Sequence, residues 1–237
     1  MSLKDKALEI IVAGTVAGTA LLGLGAGQAQ AQQSIYTSPN GNGQGTSWSD
    51  AANVETAISQ ATPQDTVKLE IGQHTVDQRL HAYTNIRGGY TGNGEERQNF
   101  PNPEINDDVT ADDVTTLDGQ GQTGILRMYG GSIENVVLQN GNAERGAGIL
   151  IENPSDDVEM KRLQLLQNMA KTGGAVYVDS DQGDTRLESS NIIGNTSING
   201  GQLHVEGNAD NEYSHNTIEA GTTQNGRDLD VSTLNAT

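Results

Sequence analysis

The sequence contains no cysteine, so neither disulfide bridges nor thiolate metal sites contribute to its fold. Large apolar side chains are scarce as well: Leu, Ile, Val and Phe number 48 of 237 residues, with one Phe and one Trp. This share lies at the compositional border of disorder, where an ordinary globular core is hard to fill. We therefore expect a repetitive architecture in which each unit buries only a few side chains.

Positive charge is also in short supply. The chain has 13 Lys and Arg against 31 Asp and Glu, which gives a formal net charge of −18. A phosphate backbone requires a concentrated basic footprint, so the composition argues against nucleic acid as a partner, and anionic membranes are disfavoured too. The excess of acid fits a saline environment or bound cations, with solubility alone as the simpler explanation.

The first 31 residues have the features of a secretory signal peptide. Lys4 and Lys6 precede an apolar run at 10–24, and Ala29-Gln30-Ala31 places small residues where a signal peptidase requires them. We predict cleavage after Ala31 and a secreted or cell-surface protein, with a retained membrane-anchoring or amphipathic helix as the alternative. No second hydrophobic stretch follows, so we expect no membrane span after the leader is cleaved.

From residue 132 to 233 the sequence repeats with a unit of about 27 residues. A glycine-led strand begins at Gly146, Gly173, Gly200 and Gly226, so the spacings are 27, 27 and 26 residues. Apolar residues alternate in each copy, which is the period of a strand with one buried face. The two predicted inward columns are Ile149, Val176, Leu203 and Leu229, followed by Ile151, Val178, Val205 and Val231.

A second strand precedes each glycine and ends in a polar corner. Asn140, Asn168 and Asn195 close this strand in three copies, and Gly221 closes it in the fourth. Asparagine tolerates left-handed turn geometry, and stacked copies can pass amide hydrogen bonds from one repeat to the next. Two interpretations stay open: a hydrogen-bonded asparagine ladder, and ordinary turn chemistry without a ladder.

Short strands, Gly or Asn corners and the absence of helical periodicity predict an all-β fold, a single-stranded parallel β-helix or solenoid over residues 32–237. A short N-terminal helix at 49–61, capped by Ser49 or Asp50, is expected to cover its open end. The polar stretch 91–115 is predicted to be a long loop. Strands upstream of the regular repeats are expected to direct five apolar residues inward: Val67, Leu69, Ile71, Leu126 and Met128.

Five motifs occur in a fixed order along the chain: IYTSPNGNGQGTSWSDA, DTVKLEIGQHT, NIRGGYTGN, TTLDGQG and the IENVVLQNGNAERGAGI repeat. With these motifs the chain resembles secreted bacterial right-handed parallel β-helix repeat proteins, which are related in fold to pectin lyases and to polymorphic, adhesin-type outer-membrane proteins. The resemblance covers nearly all of residues 34–237. It implies right-handed coiling, export and a surface or adhesive role.

One column of acids in the glycine-led strands suggests a metal site. Glu152, Asp179 and Glu206 are expected to stack about 4.8 Å apart between neighbours. Stacked carboxylates repel one another unless solvent or a cation intervenes, and calcium accepts oxygen ligands in flexible geometry. Calcium is therefore the candidate cofactor, although we favour a solvated acidic stripe, and Ser232 ends the column in the fourth copy.

Candidates for catalysis are weaker. The resemblance implies that lyases of this fold use calcium-binding carboxylates with a basic residue, and hydrolases use clustered aspartates. The paired acids Asp107-Asp108, Asp112-Asp113 and Asp156-Asp157 fall in predicted loops without surrounding hydrolase signatures.

The basic residues and histidines give no clearer signal. Lys161 and Arg162, with Lys171 or Arg186, are better explained by surface solvation. No metal-ligand spacing is present among the four histidines, which are predicted to be surface or turn residues: His74, His81, His204 and His215.

We expect a non-catalytic, exported β-helix that acts as a structural or adhesive surface module. It would bind polysaccharide along a lateral face or self-associate through its ends, where strand edges lack partners. Asp228 and Asp230 oppose such pairing, and cations or high salt would relieve the repulsion. The alternative is a polysaccharide-degrading enzyme, either a calcium-dependent lyase or a glycoside hydrolase.

Overall fold

The computed structural model describes residues 31–96, 113–207, 209–219, 221–225 and 229–233, with the backbone alone for residues 224, 225 and 229–233. They belong to one compact unit, Ala31–Thr237. Several predicted features lie outside the described residues: the leader up to residue 30, the loop from 97 to 112 with Asp107, Asp108 and Asp112, and Gly226 and Asp228.

About half of the described residues lie in strands, and they contain one α-helix, so the all-β prediction is confirmed. The helix α1 spans Val54–Gln60, and a single 3-10 turn spans Trp48–Asp50. The strands are β1 Ser34–Thr37, β2 Thr66–Glu70, β3 Gly72–Thr75, β4 Leu80–Ala82, β5 Asn85–Tyr90, β6 Thr115–Asp118, β7 Leu126–Met128, β8 Gly131–Gln139, β9 Asn142–Arg145, β10 Ile149–Glu152, β11 Val158–Leu166, β12 Met169–Thr172, β13 Val176–Asp179, β14 Thr185–Glu188, β15 Asn191–Ile193, β16 Thr196–Asn199, β17 Leu203–Gly207, β18 Glu212–Ser214, β19 Thr217–Glu219, β20 Thr222–Asn225 and β21 Leu229–Thr233.

These strands form three sheets in which neighbouring strands run parallel. Sheet A has 11 strands, ordered β1-β2-β5-β8-β11-β14-β18 with β3, β6, β15 and β19 alongside. Sheet B is ordered β4-β7-β10-β13-β17-β21, and sheet C is ordered β9-β12-β16-β20. From β8 onward the chain passes through sheets A, C and B in turn and then returns to sheet A.

The register agrees with the repeat derived from the sequence. Ile149 pairs with Val176, which pairs with Leu203, and that residue pairs with Leu229. Within the described side chains, both predicted inward columns from β10 to β17 are buried, as are Leu126 and Met128 of β7. Narrow columns of apolar side chains therefore supply a core despite the low apolar content.

Three kinds of left-handed corner shape each repeat, and one of them was not predicted. Gly146, Gly173 and Gly200 have φ values of 48°, 60° and 67°, as their position before sheet B suggested. A second corner uses Asn140, as predicted, but then Gln167 and Gly194, each one position before the predicted Asn168 and Asn195. The unpredicted corner divides the sheet A segment at four non-glycine residues: Asn135, Arg162, Ser189 and His215.

An asparagine ladder is present, but Asn140 is not part of it. The register aligns Asn168 with Gly141 and Asn195 with Gly221. Asn168 Nδ2 donates to Asn195 Oδ1 at 3.0 Å, and Asn168 Oδ1 accepts the Gly141 amide at 2.8 Å. Asn140 lies one position earlier, at the left-handed corner, where its Nδ2 donates to Asp118. Since Asn168 and Asn195 are fully buried, these amides satisfy backbone groups inside the core.

The N-terminal helix forms, but with a different cap. Asn53 precedes α1, and its Oδ1 accepts the Thr56 amide at 2.8 Å, whereas Asp50 ends the preceding 3-10 turn. Val54, Ala57 and Ile58 are buried, and α1 contacts β1, β2 and β4. The helix therefore packs where sheets A and B begin.

Two predictions near β2 and β3 were wrong. Ile71 is only partly buried, because the strand breaks between Glu70 and Gly72 and Gly72 adopts a φ of 123°. His74 was predicted to lie at the surface, yet it is 1% exposed, and its Nε2 hydrogen-bonds to the Glu70 carbonyl at 2.8 Å. The break shifts the inward phase, so that His74 and Val76 face inward.

Candidate functional site

The outward side of sheet B concentrates rings and guanidinium groups in an otherwise acidic chain. Because inward residues alternate with outward ones, the strands place two outward columns side by side. We call these columns the sheet B face; its members are His81, Arg127, Leu150, Tyr177 and His204 in one column and Tyr83, Tyr129, Glu152, Asp179 and Glu206 in the other.

A stacked pair of tyrosines begins the second column. The rings of Tyr83 and Tyr129 lie 4.5 Å apart and within 9° of parallel, and Tyr83 is 48% exposed. Tyr129 is held by its neighbours: its hydroxyl hydrogen-bonds with His81 Nδ1 at 2.9 Å, and the Arg127 guanidinium lies 4.8 Å from its ring. The pair is therefore a rigid apolar platform with one ring open to solvent.

A groove of about 430 Å³ opens beside Tyr83. Its lining is mostly polar and consists of Pro63, Tyr83, Asn85, Gly130, Gly131, Ser132, Ser155, Asp156, Asp157 and Glu159. Ser155 Oγ donates to the Tyr129 carbonyl at 3.0 Å, and Ser132 Oγ donates to Asn85 Oδ1 at 2.9 Å. The groove thus combines an exposed ring with carboxylate, hydroxyl and amide groups held by local hydrogen bonds.

The paired acids Asp156-Asp157 lie in this groove. Asp156 Oδ1 accepts the Asp157 amide at 2.9 Å, and Asp157 Oδ1 accepts the Asp184 amide of the next repeat at 3.0 Å. Glu159 is 3.0 Å from Lys161 Nζ. One oxygen of each aspartate therefore accepts a backbone amide, and within the described residues the second carboxylate oxygen of each is left to interact with a ligand.

Three arginines gather at the β4 and β7 end of the sheet B face, and we call them the guanidinium cluster: Arg79, Arg127 and Arg145. Arg79 Nη2 donates to the carbonyls of Arg145 and Gly146, both at 3.0 Å. Arg145 lies 5.2 Å from the Tyr177 ring and pairs with Glu152, and Arg127 is 3.3 Å from the same carboxylate. One carboxylate thus serves two of the three arginines.

The cluster affects the ionisation of its own members and of its neighbour. Burial, followed by the positive charge of Arg127, lowers the pKa of Arg79 from its usual value. Partial burial lowers the pKa of His81, and the charges of Arg127 and Arg79 act in the same direction. Burial is the main cause of both shifts, and the neighbouring guanidinium charges add to it, whereas Glu152 opposes the shift at Arg79.

The carboxylate column predicted from the sequence forms in register, since Glu152 pairs with Asp179 and Asp179 with Glu206. Two of its members have other partners: Glu152 pairs with Arg127 and Arg145, and Glu206 accepts a hydrogen bond from the Tyr177 hydroxyl. In the described part of the chain, no group of three or more His, Asp or Glu side chains is arranged to hold a metal ion. Calcium at this column stays a prediction.

The basic residues considered as a catalytic spot are distributed among acids. Lys161 pairs with Glu159, Lys171 lies 3.4 Å from Glu144, and Arg162 pairs with Glu134. Arg186 is 3.7 Å from Glu159 and 3.8 Å from Glu212. Each of these residues therefore belongs to an ion pair on its own strand or with a neighbouring strand.

In a second aromatic cluster, near the start of sheet A, the rings contact one another and a lysine of the same chain. Tyr36 and Trp48 have ring centroids 4.9 Å apart, and Trp48 lies 5.8 Å from Tyr90. Lys68 Nζ lies 5.6 Å from the Tyr36 ring and 5.3 Å from the Tyr90 ring. Because the lysine already occupies the space between two rings, we do not regard this cluster as a ligand site.

The sequence argument missed Arg79, His81, Tyr83, Arg127 and Tyr129. A signal was present: Leu80-His81-Ala82-Tyr83 and Leu126-Arg127-Met128-Tyr129 share Leu and Tyr at the same offsets. The paired residues Leu80 and Leu126 are 46 positions apart, so the 27-residue period does not align the two segments.

No protein-family model, curated protein or solved structure matches this chain. Within the residues that the structure covers, none of the helical segments has the length and apolar character needed to cross a membrane.

Proposed function

We propose that this chain is an exported, non-catalytic β-helix that binds carbohydrate through the groove and the tyrosine pair of the sheet B face. The observation that carries the proposal is Tyr83, an exposed ring stacked on Tyr129 at the edge of a polar groove. In this proposal the three parallel sheets wind as a right-handed parallel β-helix, and the resemblance to secreted β-helix proteins supports the handedness and the export.

Carbohydrate is the ligand class that this combination suits best. A sugar ring has apolar C–H faces that pack on an aromatic ring, and its hydroxyl groups require acceptors and donors around the edge. Tyr83 supplies the ring, and Asp156, Asp157 and Ser132 supply groups for hydroxyls. The open groove suits a segment within a polymer as well as a free end.

The test is glycan binding by the full chain and by Tyr83→Ala. After a glycan array selects a ligand, calorimetry should show that Tyr83→Ala weakens its binding by about tenfold or more, the usual range for truncating a central aromatic anchor. Met169→Ala on sheet C is the matched control, because Met169 is similarly exposed, at 49%. Its affinity should equal that of the wild type.

Two outcomes would overturn this function. Absence of binding to every neutral and acidic glycan, with a native circular dichroism spectrum, would remove it. Release of reducing or unsaturated sugar products would replace binding by catalysis, and Asp156→Asn and Glu159→Gln would then test the carboxylates of the groove.

We also propose that the chain associates end to end. Among the described strands, β21 of sheet B and β20 of sheet C pair on one side only, and an unpaired parallel edge is a template for another chain. Sedimentation velocity at low and high salt, with and without calcium, should show larger species as charge is screened. A monomer under all four conditions would contradict it.

A further inference from the structure

The guanidinium cluster has fewer acidic partners per cation than the other Lys and Arg residues in the described part of the chain. Of the other described Lys and Arg residues, five pair with carboxylates: Arg87, Lys161, Arg162, Lys171 and Arg186. Lys68 lies against two tyrosine rings instead. In the cluster, by contrast, two of the three guanidinium groups share the single carboxylate of Glu152.

Of the three arginines, Arg79 has the least negative charge nearby to balance its own positive charge. In the described part of the chain, its guanidinium has no carboxylate at ion-pair distance and is anchored by two backbone carbonyls. Arg127 and Arg145 are held in place by the rings of Tyr129 and Tyr177. A partly buried positive charge without an anion is costly, whereas fixed guanidinium groups lose little freedom when an oxyanion binds.

We propose that the guanidinium cluster is an oxyanion site that binds a sulfate or carboxylate group carried by the glycan. Planar guanidinium groups bind such anions through paired N–H···O hydrogen bonds, which a neutral hydroxyl accepts more weakly. The identity of the carrier rests on the proposed carbohydrate-binding function, whereas the anion site itself does not.

The position of the cluster connects it to the tyrosine platform. Arg127 lies 4.8 Å from the Tyr129 ring, and Tyr129 stacks on Tyr83 at 4.5 Å. A sugar at Tyr83, or the next sugar along sheet B, would therefore bring an acidic substituent close to the arginines of the cluster. The neutral part of the ligand contacts the groove, and its charge is recognised separately by the arginines.

Titration of the full chain with inorganic sulfate at constant ionic strength tests the site without any sugar. Calorimetry should show one bound sulfate, and Arg127→Gln and Arg145→Gln should each weaken it by tenfold or more. Arg186→Gln is the matched control, since the Arg145 and Arg186 side chains are 47% and 43% exposed. Arg145→Lys, which keeps the charge but loses the planar fork, should give an intermediate affinity.

Equal sulfate binding by Arg127→Gln and the wild type, or no sulfate binding by a folded wild type, would overturn the inference. A second arm compares neutral, sulfated and carboxylated forms of one oligosaccharide. Tighter binding of one charged form identifies the source of the anion and should be lost in Arg127→Gln. Equal affinity for all forms would refute a glycan as the carrier of the anion but leave the carbohydrate function intact. Sulfate binding without binding of any glycan would support the oxyanion site and refute the carbohydrate function.

Discussion

The outward faces of sheets A and B carry charge in different ways. On sheet A the column Arg87, Glu134, Lys161 and Glu188 alternates in sign from strand to strand, as does the column Glu159, Arg186 and Glu212. At sheet B the cations collect beside the β4 and β7 end, with Arg127 on β7, Arg79 before β4 and Arg145 at the end of β9, and the acids follow in β10, β13 and β17. Charges paired between strands stabilise a sheet, whereas separated charges beside exposed rings leave interactions for a ligand.

The largest expected effect is a loss of stability on removal of an asparagine of the buried ladder, and it tests whether both faces depend on this ladder. Asn168→Ala removes a buried amide and leaves the Gly141 N–H and the Leu138 carbonyl without their partner. We expect a loss of about 3 kcal/mol in the free energy of unfolding, since each unsatisfied buried group costs about 1–3 kcal/mol. Denaturant unfolding measures it.

Asn142→Ala is the control for this prediction, because its side chain donates to the Gly121 carbonyl at an exposed position. It should change stability by less than about 0.5 kcal/mol. Equal stability of the two variants would show that the ladder contributes nothing and that the faces are held independently of it.

Glu134→Lys breaks the charge pattern of sheet A directly. Glu134 lies between Arg87 and Arg162 and pairs in register with Lys161, so the substitution replaces two attractions by repulsions. At this partly exposed site we expect a loss of about 1–2 kcal/mol, smaller at high salt, with unchanged glycan affinity. If Glu134→Lys also weakens glycan binding under conditions in which the variant is fully folded, the two faces are coupled.

His74 under sheet A gives a pH-dependent contrast with His81 on sheet B. Burial lowers the pKa of His74 below its ordinary 6.5, so the folded state holds the neutral ring and the unfolded chain binds the proton more readily. The folded state therefore has its full stability above pH 6.5, and this stability falls as the pH decreases towards the pKa of His74 in the folded state.

In denaturant unfolding, His74→Gln should therefore lose less stability than the wild type as the pH falls from about 7 to about 5. The pH profile of His81→Gln should differ less from that of the wild type, because His81 is exposed. Parallel pH profiles for the wild type and His74→Gln would contradict the prediction.

The smallest expected effect tests whether Glu152 competes with an anion for the arginines at the sheet B face. Glu152→Gln removes the carboxylate that Arg127 and Arg145 share, which leaves more guanidinium groups free for an anion. Sulfate affinity should rise a few-fold at low salt, a change of less than about 1 kcal/mol. Weaker sulfate binding would indicate that Glu152 orients the arginines instead of competing for them.

The sequence predicted those parts of the molecule that the repeat itself specifies. Gly146, Gly173 and Gly200 adopt the left-handed corner, and from β10 to β17 the columns beginning at Ile149 and Ile151 are buried in register. The corners follow from glycine's freedom at positive φ, and the buried columns follow from the two-residue period of a strand. Both are properties of single residues, so one sequence is sufficient to predict these features.

Other features depended on comparisons that the period does not provide. Asn140 resembles Asn168 in type but occupies the neighbouring corner position, because asparagine suits both a left-handed turn and a ladder. The tyrosine pair and the guanidinium cluster arise from strands 46 residues apart and from Arg145 at the end of β9. Only the pairing of distant strands brings these side chains together.

The end of the asparagine ladder bears on how such a molecule changes in length. Gly221 offers no side chain, so Asn195 turns back to Gln202, whose Oε1 accepts the Asn195 amide at 3.0 Å. A tandem duplication of residues 168–194 would place one asparagine on another and preserve every existing contact type. Whole units could therefore be added to the chain, each contributing further strands to the parallel sheets at the usual spacing of about 4.8 Å, without a new kind of junction.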